Sequence, residues 1–154
     1  MSKVDPTNLG TANTAIEKLG IGSAPISTVP DLLDVCWGMK KKMTLCLVGD
    51  TGIGKTPIVH QWAKAKNGFV KVLNFGHLSP EEVSMSMFAE DVKSFGFVPP
   101  AYLLEVNERA KKDGCAVLFI DEFNRGEVAL VNMLFTLTDD RRIHDFHLHD
   151  NVLV

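Results

Sequence analysis

The stretch Met43-Thr-Leu-Cys-Leu-Val48, continued by Gly49-Asp-Thr-Gly-Ile-Gly-Lys-Thr56, decides the fold. Residues 43–48 form an apolar run of strand length that stops at Gly49 and Asp50. The run lacks alternation, which predicts a strand buried on both faces, as in parallel sheets. Beyond the glycines, Ile58, Val59, Trp62 and Ala63 recur at helical spacing up to a stop at Asn67 and Gly68. Between this strand and this helix, residues 49–56 fit GxxxxGK[ST] at every fixed position, in the context the motif requires.

The chemistry of such a loop follows from its residue types. Gly49, Gly52 and Gly54 permit backbone conformations closed to other residues, so the N–H groups of the loop, with Asp50, Thr51 and Ile53, can curl around phosphate oxygens. The positive end of the following helix favours the same anion. Lys55 is expected to reach the β- and γ-phosphates of a nucleoside triphosphate, and the Thr56 hydroxyl to ligate Mg²⁺. Pro57 is compatible with the first helical turn, where its missing N–H costs little, and completes the expected nucleotide-binding segment. A chance match in a glycine turn is the competing reading. Three glycines followed by Lys-Thr between the right elements argue against it.

A second landmark lies about 65 residues further on. Cys115-Ala-Val-Leu-Phe-Ile120 is another uninterrupted apolar strand, ending in Asp121 and Glu122. Ligands of open parallel sheets sit at the carboxyl ends of strands. Asp121 is expected to hold Mg²⁺ through water, and Glu122 to orient and deprotonate the water that attacks the γ-phosphate. Alone, an acidic pair after a strand is equally a turn or a helix cap. Downstream of a phosphate loop it reads as chemistry.

Strands and helices alternate through the rest of the chain, which indicates an α/β fold with a mostly parallel sheet. A helix is expected from Thr28 to about Gly38, and a strand over residues 69–75. Another helix should open at Ser79, with Pro80, Glu81 and Glu82 in its first turn and Val83, Met85, Met87 and Phe88 following. Phe95-Gly-Phe-Val-Pro-Pro100 reads as a loop or short hairpin, and residues 101–112 and 127–137 as helices. The tail from Asp139 suggests a hairpin leading into a last strand at residues 151–154. Residues 1–27, rich in Ser, Thr, Asn, Gly and Pro, read as an arm or linker with one short helical candidate over 14–19; residues 28–154 read as one domain.

Composition limits the alternatives. With 154 residues, 45% hydrophobic, 23% charged and a net charge of −3, the chain suits one soluble domain and carries no basic excess to signal nucleic acid. No apolar run reaches the roughly 18 to 20 residues that span a bilayer, and the N-terminus lacks the apolar stretch of a signal peptide, so a cytoplasmic protein is expected. Cys36, Cys46 and Cys115 read as buried hydrophobes. His144, His147 and His149 lie in an acidic, turn-like stretch without a cysteine partner and read as solvated rather than metal-binding. Lys40, Lys41 and Lys42 read as a solvated turn.

The string Val117-Leu-Phe-Ile-Asp-Glu-Phe-Asn-Arg125, the loop at residues 49–56 and Leu137-Thr-Asp-Asp-Arg-Arg-Ile143 together resemble the MoxR-like and dynein-related branch of the AAA+ ATPases, over roughly residues 28–154. The resemblance implies a three-layer P-loop NTPase fold with core strands in the order 5-1-4-3-2, ATP with Mg²⁺, and work as a ring of like subunits on client proteins. In that family the strand beginning near Asn151 continues to a polar sensor residue, followed by an arginine finger and a helical lid. The sequence reaches Val154 before any of these, so an incomplete AAA+ core, a fragment or part of a split ATPase, is expected. Arg141 and Arg142 are off the finger position and are expected to be solvated or at a subunit contact. Asn124 and Arg125 either contact the next subunit or form a helix-start turn. Two functions stay open: an ATPase, which retention of Lys55 and Glu122 favours, and a non-catalytic nucleotide-binding or structural subunit. A small-molecule kinase fits less well, because Asp-Glu followed by Asn-Arg is foreign to that class.

Overall fold

The computed structural model describes residues 24–79, 82, 85–89 and 94–154. Its centre is β4 (Ala116–Asp121), whose apolar side chains divide between two cores. Ala116 and Leu118 join Leu73, Leu103, Val106 and Leu130, whereas Val117 joins Leu33, Val59, Trp62 and Leu153. Successive side chains of a strand point to opposite faces, so a strand apolar at every position must be covered on both. The cover on one face is α1 (Val29–Gly38) and α2 (Lys55–Ala65), and on the other α3 (Ala101–Asp113) and α4 (Val128–Phe135). This is the three-layer α/β arrangement expected.

β1 (Phe69–Asn74) runs parallel to β4 along its whole length, from Phe69 opposite Ala116 to Asn74 opposite Asp121. β7 (Val152–Leu153) lies parallel on the other edge of β4. The order β1-β4-β7 is the 2-3-4 portion of the expected sheet. The sequence-predicted strand over 43–48 departs from expectation: its backbone makes one sheet-like bond, Leu45 N–H to Val154 O at 3.3 Å, and no ladder. That bond places it beside β7, where the first core strand belongs. A ladder needs amides and carbonyls in register over several residues, and β7 offers a two-residue edge. Leu45 and Leu47 rest on the α1–α2 core, while Met43, Cys46 and Val48 are exposed. Cys46 is therefore not the buried hydrophobe expected. Cys36 and Cys115 are buried, and desolvation pushes both thiols up.

The helix expected after Ser79 is also corrected. Ser79 N–H donates to Glu82 Oε2 at 2.7 Å and Glu82 N–H to Ser79 O at 3.1 Å, so the turn opens as a helix start does. Pro80, Glu81 and Val83 lie outside the described residues. Met85–Ala89 is a strand, β2, paired antiparallel with β3 (Ser94–Val98). Val83, Met85 and Met87 repeat every second residue, a strand period, and the ladder with β3 outweighs local helix signals. The helical candidate over 14–19 and residues 1–23 of the expected arm lie outside the described residues. The other elements predicted from residue 28 onward are in place, with Gly114 ending α3 in the left-handed conformation at φ 76°.

Polar contacts stitch the layers. Trp62 Nε1 and Lys66 Nζ both donate to Asp34 Oδ1, at 3.0 and 2.8 Å, tying α2 to α1; the Lys66 bond, then the Trp62 bond, holds this carboxyl below its usual range. Asn107 on α3 donates to His147 O at 2.8 Å and accepts from His149 N–H at 2.9 Å. It thereby anchors the hairpin of β5 (Arg142–Ile143) and β6 (Phe146–His147). Arg141, expected in solvent or at a subunit contact, is half-buried and donates to His149 O at 2.9 Å and Val152 O at 2.7 Å. Burial lowers its proton affinity. Arg142 is exposed, 3.7 Å from Asp140. Lys42 leaves the solvated turn to bond Trp37 O and lie over its ring at 4.3 Å. Among the described residues no helix is long and apolar enough to cross a membrane.

Two substitutions test this packing. A Cβ at Gly68 would stand 2.9 Å from Cys115 Sγ and 3.1 Å from Cys115 O, where β1 leaves α2 and enters the sheet; one at Gly38 meets nothing within 4 Å. Gly68→Ala is expected to lower unfolding free energy by about 1–3 kcal/mol in urea titrations, and Gly38→Ala to be neutral or to raise it by about 0.5 kcal/mol. Arg141→Ala removes a donor from Val152 O and one of the two donors of His149 O, which keeps Val152 N–H, and should cost about 1–3 kcal/mol, while Arg142→Ala changes stability by less than about 0.5 kcal/mol.

Candidate functional site

Residues 49–54 link the 43–48 segment to α2, and the glycines do the turning. Gly52 and Gly54 have φ of 85° and 97°, conformations that cost other L-residues about 1–2 kcal/mol each. Gly54 caps α2, accepting from Ile58 N–H at 3.1 Å. The first N–H groups of a helix have no partner inside it, so those of Lys55 and Thr56 are free of helical bonds; Pro57, third in the helix, has none to offer. Lys55 Nζ folds back over the loop and donates to Gly49 O at 2.8 Å and Asp50 O at 2.9 Å. Ile53 covers Gly49 so closely that a Cβ there would meet its Cδ1 at 2.7 Å. Ile26, in the turn before α1, lies 3.8 Å from the Cβ position of Gly54.

The second group hangs from the carboxyl end of β4. Asp121 Oδ1 accepts from Glu122 N–H at 3.0 Å, and Glu122 takes the left-handed conformation, φ 53° and ψ 35°. A non-glycine residue there is uncommon and bends the chain sharply out of the strand. A single helical turn, Phe123–Arg125, follows, closed by Arg125 N–H to Glu122 O at 2.8 Å. Asn124 and Arg125 thus occupy the turn that was one of their two expected readings. Arg125 Nη1 sits 3.2 Å from both Oε1 and Oε2 of Glu122.

Both groups open onto one cavity of about 780 Å³. Gly49, Thr51, Gly52, Gly54, Lys55, Thr56 and Pro57 line it from the loop, and Asp121, Glu122, Asn124 and Arg125 from the end of β4. Asp50 and Ile53 belong to the loop but do not line the cavity: Asp50 contributes its carbonyl to Lys55, and Ile53 packs on Gly49. Two neighbours of the site were not among the sequence candidates. Asn74 ends β1 opposite Asp121 and accepts from Gly76 N–H at 3.1 Å, and Gly76 lies against Glu122 and Arg125. Their signal was a polar Asn and a Gly at a strand's carboxyl end, the same signal that marks Asp121.

Elsewhere His144, His147 and His149 make local contacts. The His144 ring lies tilted by 42° against Phe97 with centroids 4.7 Å apart, His147 Nδ1 lies 3.1 Å from Asp145 O, and His149 Nδ1 accepts from Asn151 N–H at 3.1 Å. Among the described residues no three His, Cys, Asp or Glu side chains group as a metal site.

A search of curated proteins finds no match. The sequence model of the family described as AAA domain (dynein-related subfamily) matches residues 44–152, from the strand-like run before the loop to the first residue of β7. The matched span contains every residue of the loop and of the Asp121–Arg125 turn, and it carries with it an AAA+ ATPase-type, ATP-binding character. With well over half of its length matched and the three-layer sheet to go with it, the chain belongs to the dynein-related subfamily of AAA domains.

Proposed function

We propose that this chain binds ATP with Mg²⁺ at the loop of residues 49–57 and hydrolyses its β-γ bond, with Glu122 as the base. The observation that carries the reading is the convergence on one cavity of two motifs some 65 residues apart in sequence. At about 780 Å³ the cavity is within the common range of small-ligand sites. The donor set suits the cation as well. The Thr56 hydroxyl and Asp121 carboxylate are hard oxygen ligands of the kind Mg²⁺ takes, and both line that cavity.

Each residue then has one task. Lys55 exchanges its two carbonyl acceptors for phosphate oxygens, trading neutral partners for charged ones with stronger bonds. The N–H groups at the start of α2 receive further oxygens. Thr56 and Asp121 hold the cation, which when bound supplies charge neutralisation to the phosphates. Glu122 accepts a proton from the attacking water. The Asp-Glu-Phe-Asn-Arg string supports the MoxR-like side of the subfamily, with remodelling or assembly of client proteins by a ring of like subunits in the cytoplasm. A second reading, a nucleotide-holding structural subunit with little turnover, draws support from the Glu122–Arg125 pairing, which engages the base.

Calorimetry and phosphate release separate the two. Lys55→Ala should weaken ATP binding on the order of ten- to hundredfold; unchanged affinity would remove the loop from the site. Glu122→Gln should keep affinity within about twofold and lower turnover by roughly 10²–10⁴-fold. Magnesium-dependent binding with no turnover at any protein concentration would select the structural subunit.

A further inference from the structure

Glu122 lines the cavity, yet its carboxylate leans toward β1. Its Oε2 lies 3.4 Å from where a Cβ of Gly76 would stand, and Gly76 follows the end of β1. β1 occupies one edge of β4; β7, with residues 43–48 beyond it leading into the loop, occupies the other. The proposed base is therefore drawn toward the flank opposite the segment that delivers the phosphate loop.

Two features hold it there. Arg125 Nη1 is centred over both carboxylate oxygens, at 3.2 Å from each, because the helical turn returns residue 125 beside residue 122. Gly76 leaves the space: an added Cβ there would press on Asn74 Oδ1 at 3.3 Å and meet Arg125 Cβ and the Glu122 oxygen, each at 3.4 Å. Asn74 is occupied with Gly76 N–H, so among the described residues Arg125 is the ion partner of Glu122. The Arg125 side chain is 65% exposed and that of Glu122 33%, and a pair with one partner so open to water is readily parted.

We propose that Arg125 is a positioning residue that restrains Glu122 over Gly76, so that turnover proceeds from the fraction of molecules in which the pair is open. The inference rests on the reading of Glu122 as base. Because the nucleotide is gripped by the loop, the restraint acts on kcat and leaves binding alone. Exposed ion pairs of this kind shift an equilibrium by about two- to fivefold, which bounds the effect.

The test uses the full chain with ATP and Mg²⁺, measuring kcat and KM by phosphate release and Kd by calorimetry. Arg125→Ala should raise kcat about two- to fivefold with KM and Kd unchanged, and Arg125→Lys should fall back toward the parent. A kcat lowered by Arg125→Ala, or a Kd that moves with it, overturns the proposal and makes Arg125 a support of the site. Turnover that is absent in the parent, or the same with and without Glu122→Gln, overturns the reading of Glu122 as base and the restraint with it.

Discussion

The parallel ladder between β1 and β4 is the constraint on which the rest of the structure depends. Six residue pairs in register, from Phe69–Ala116 to Asn74–Asp121, bring the polar ends of both strands to one edge of the sheet. The side-chain period of two then sorts β4 into an α1–α2 face and an α3–α4 face. One strand thus sets the layers and delivers the acids. A slip of one residue in this ladder would turn Val117 and Leu118 into each other's cores and move Asp121 off its neighbour Asn74.

The loop side of the site is held differently. Residues 43–48 rest on the core through Leu45 and Leu47 and touch the sheet by one backbone bond. What shapes residues 49–54 is internal: left-handed glycines, Ile53 folded over Gly49, and Lys55 bonded to two loop carbonyls. The site therefore joins a rigid half, set by sheet register, to a half that keeps its form by contacts within itself. Elements with few buried contacts are those that open most easily. The binding chemistry sits on the half best able to adjust.

Much of the fold was legible from pattern. α2, α3 and β4 follow from helical spacing, a left-handed Gly114 stop and an unbroken apolar run, each a local signal that tertiary packing reinforces. The misreadings have specific causes. Met85 and Met87 satisfy a strand period as well as part of a helical one, and only pairing with β3 chooses between them. Cys46 looked buried because its run is apolar, but burial on both faces needs a covering layer that no local pattern encodes. Arg141 looked like a surface charge, and its two carbonyl acceptors come from a segment up to eleven residues away that folds back beside it.

For the candidate site the division is similar. The sequence by itself determined the chemical types and their spacing: a loop of glycines ending in Lys55-Thr56, and an apolar strand ending in Asp121-Glu122. Those are local properties of backbone freedom, helix start and strand end, and they are written in consecutive residues. Only the tertiary structure decided that both open onto one cavity, that Lys55 bonds to Gly49 and Asp50, and that Glu122 leans over Gly76 under Arg125. Those facts depend on which strand lies beside which and on where side chains find partners, and neither is carried by any single stretch of the chain.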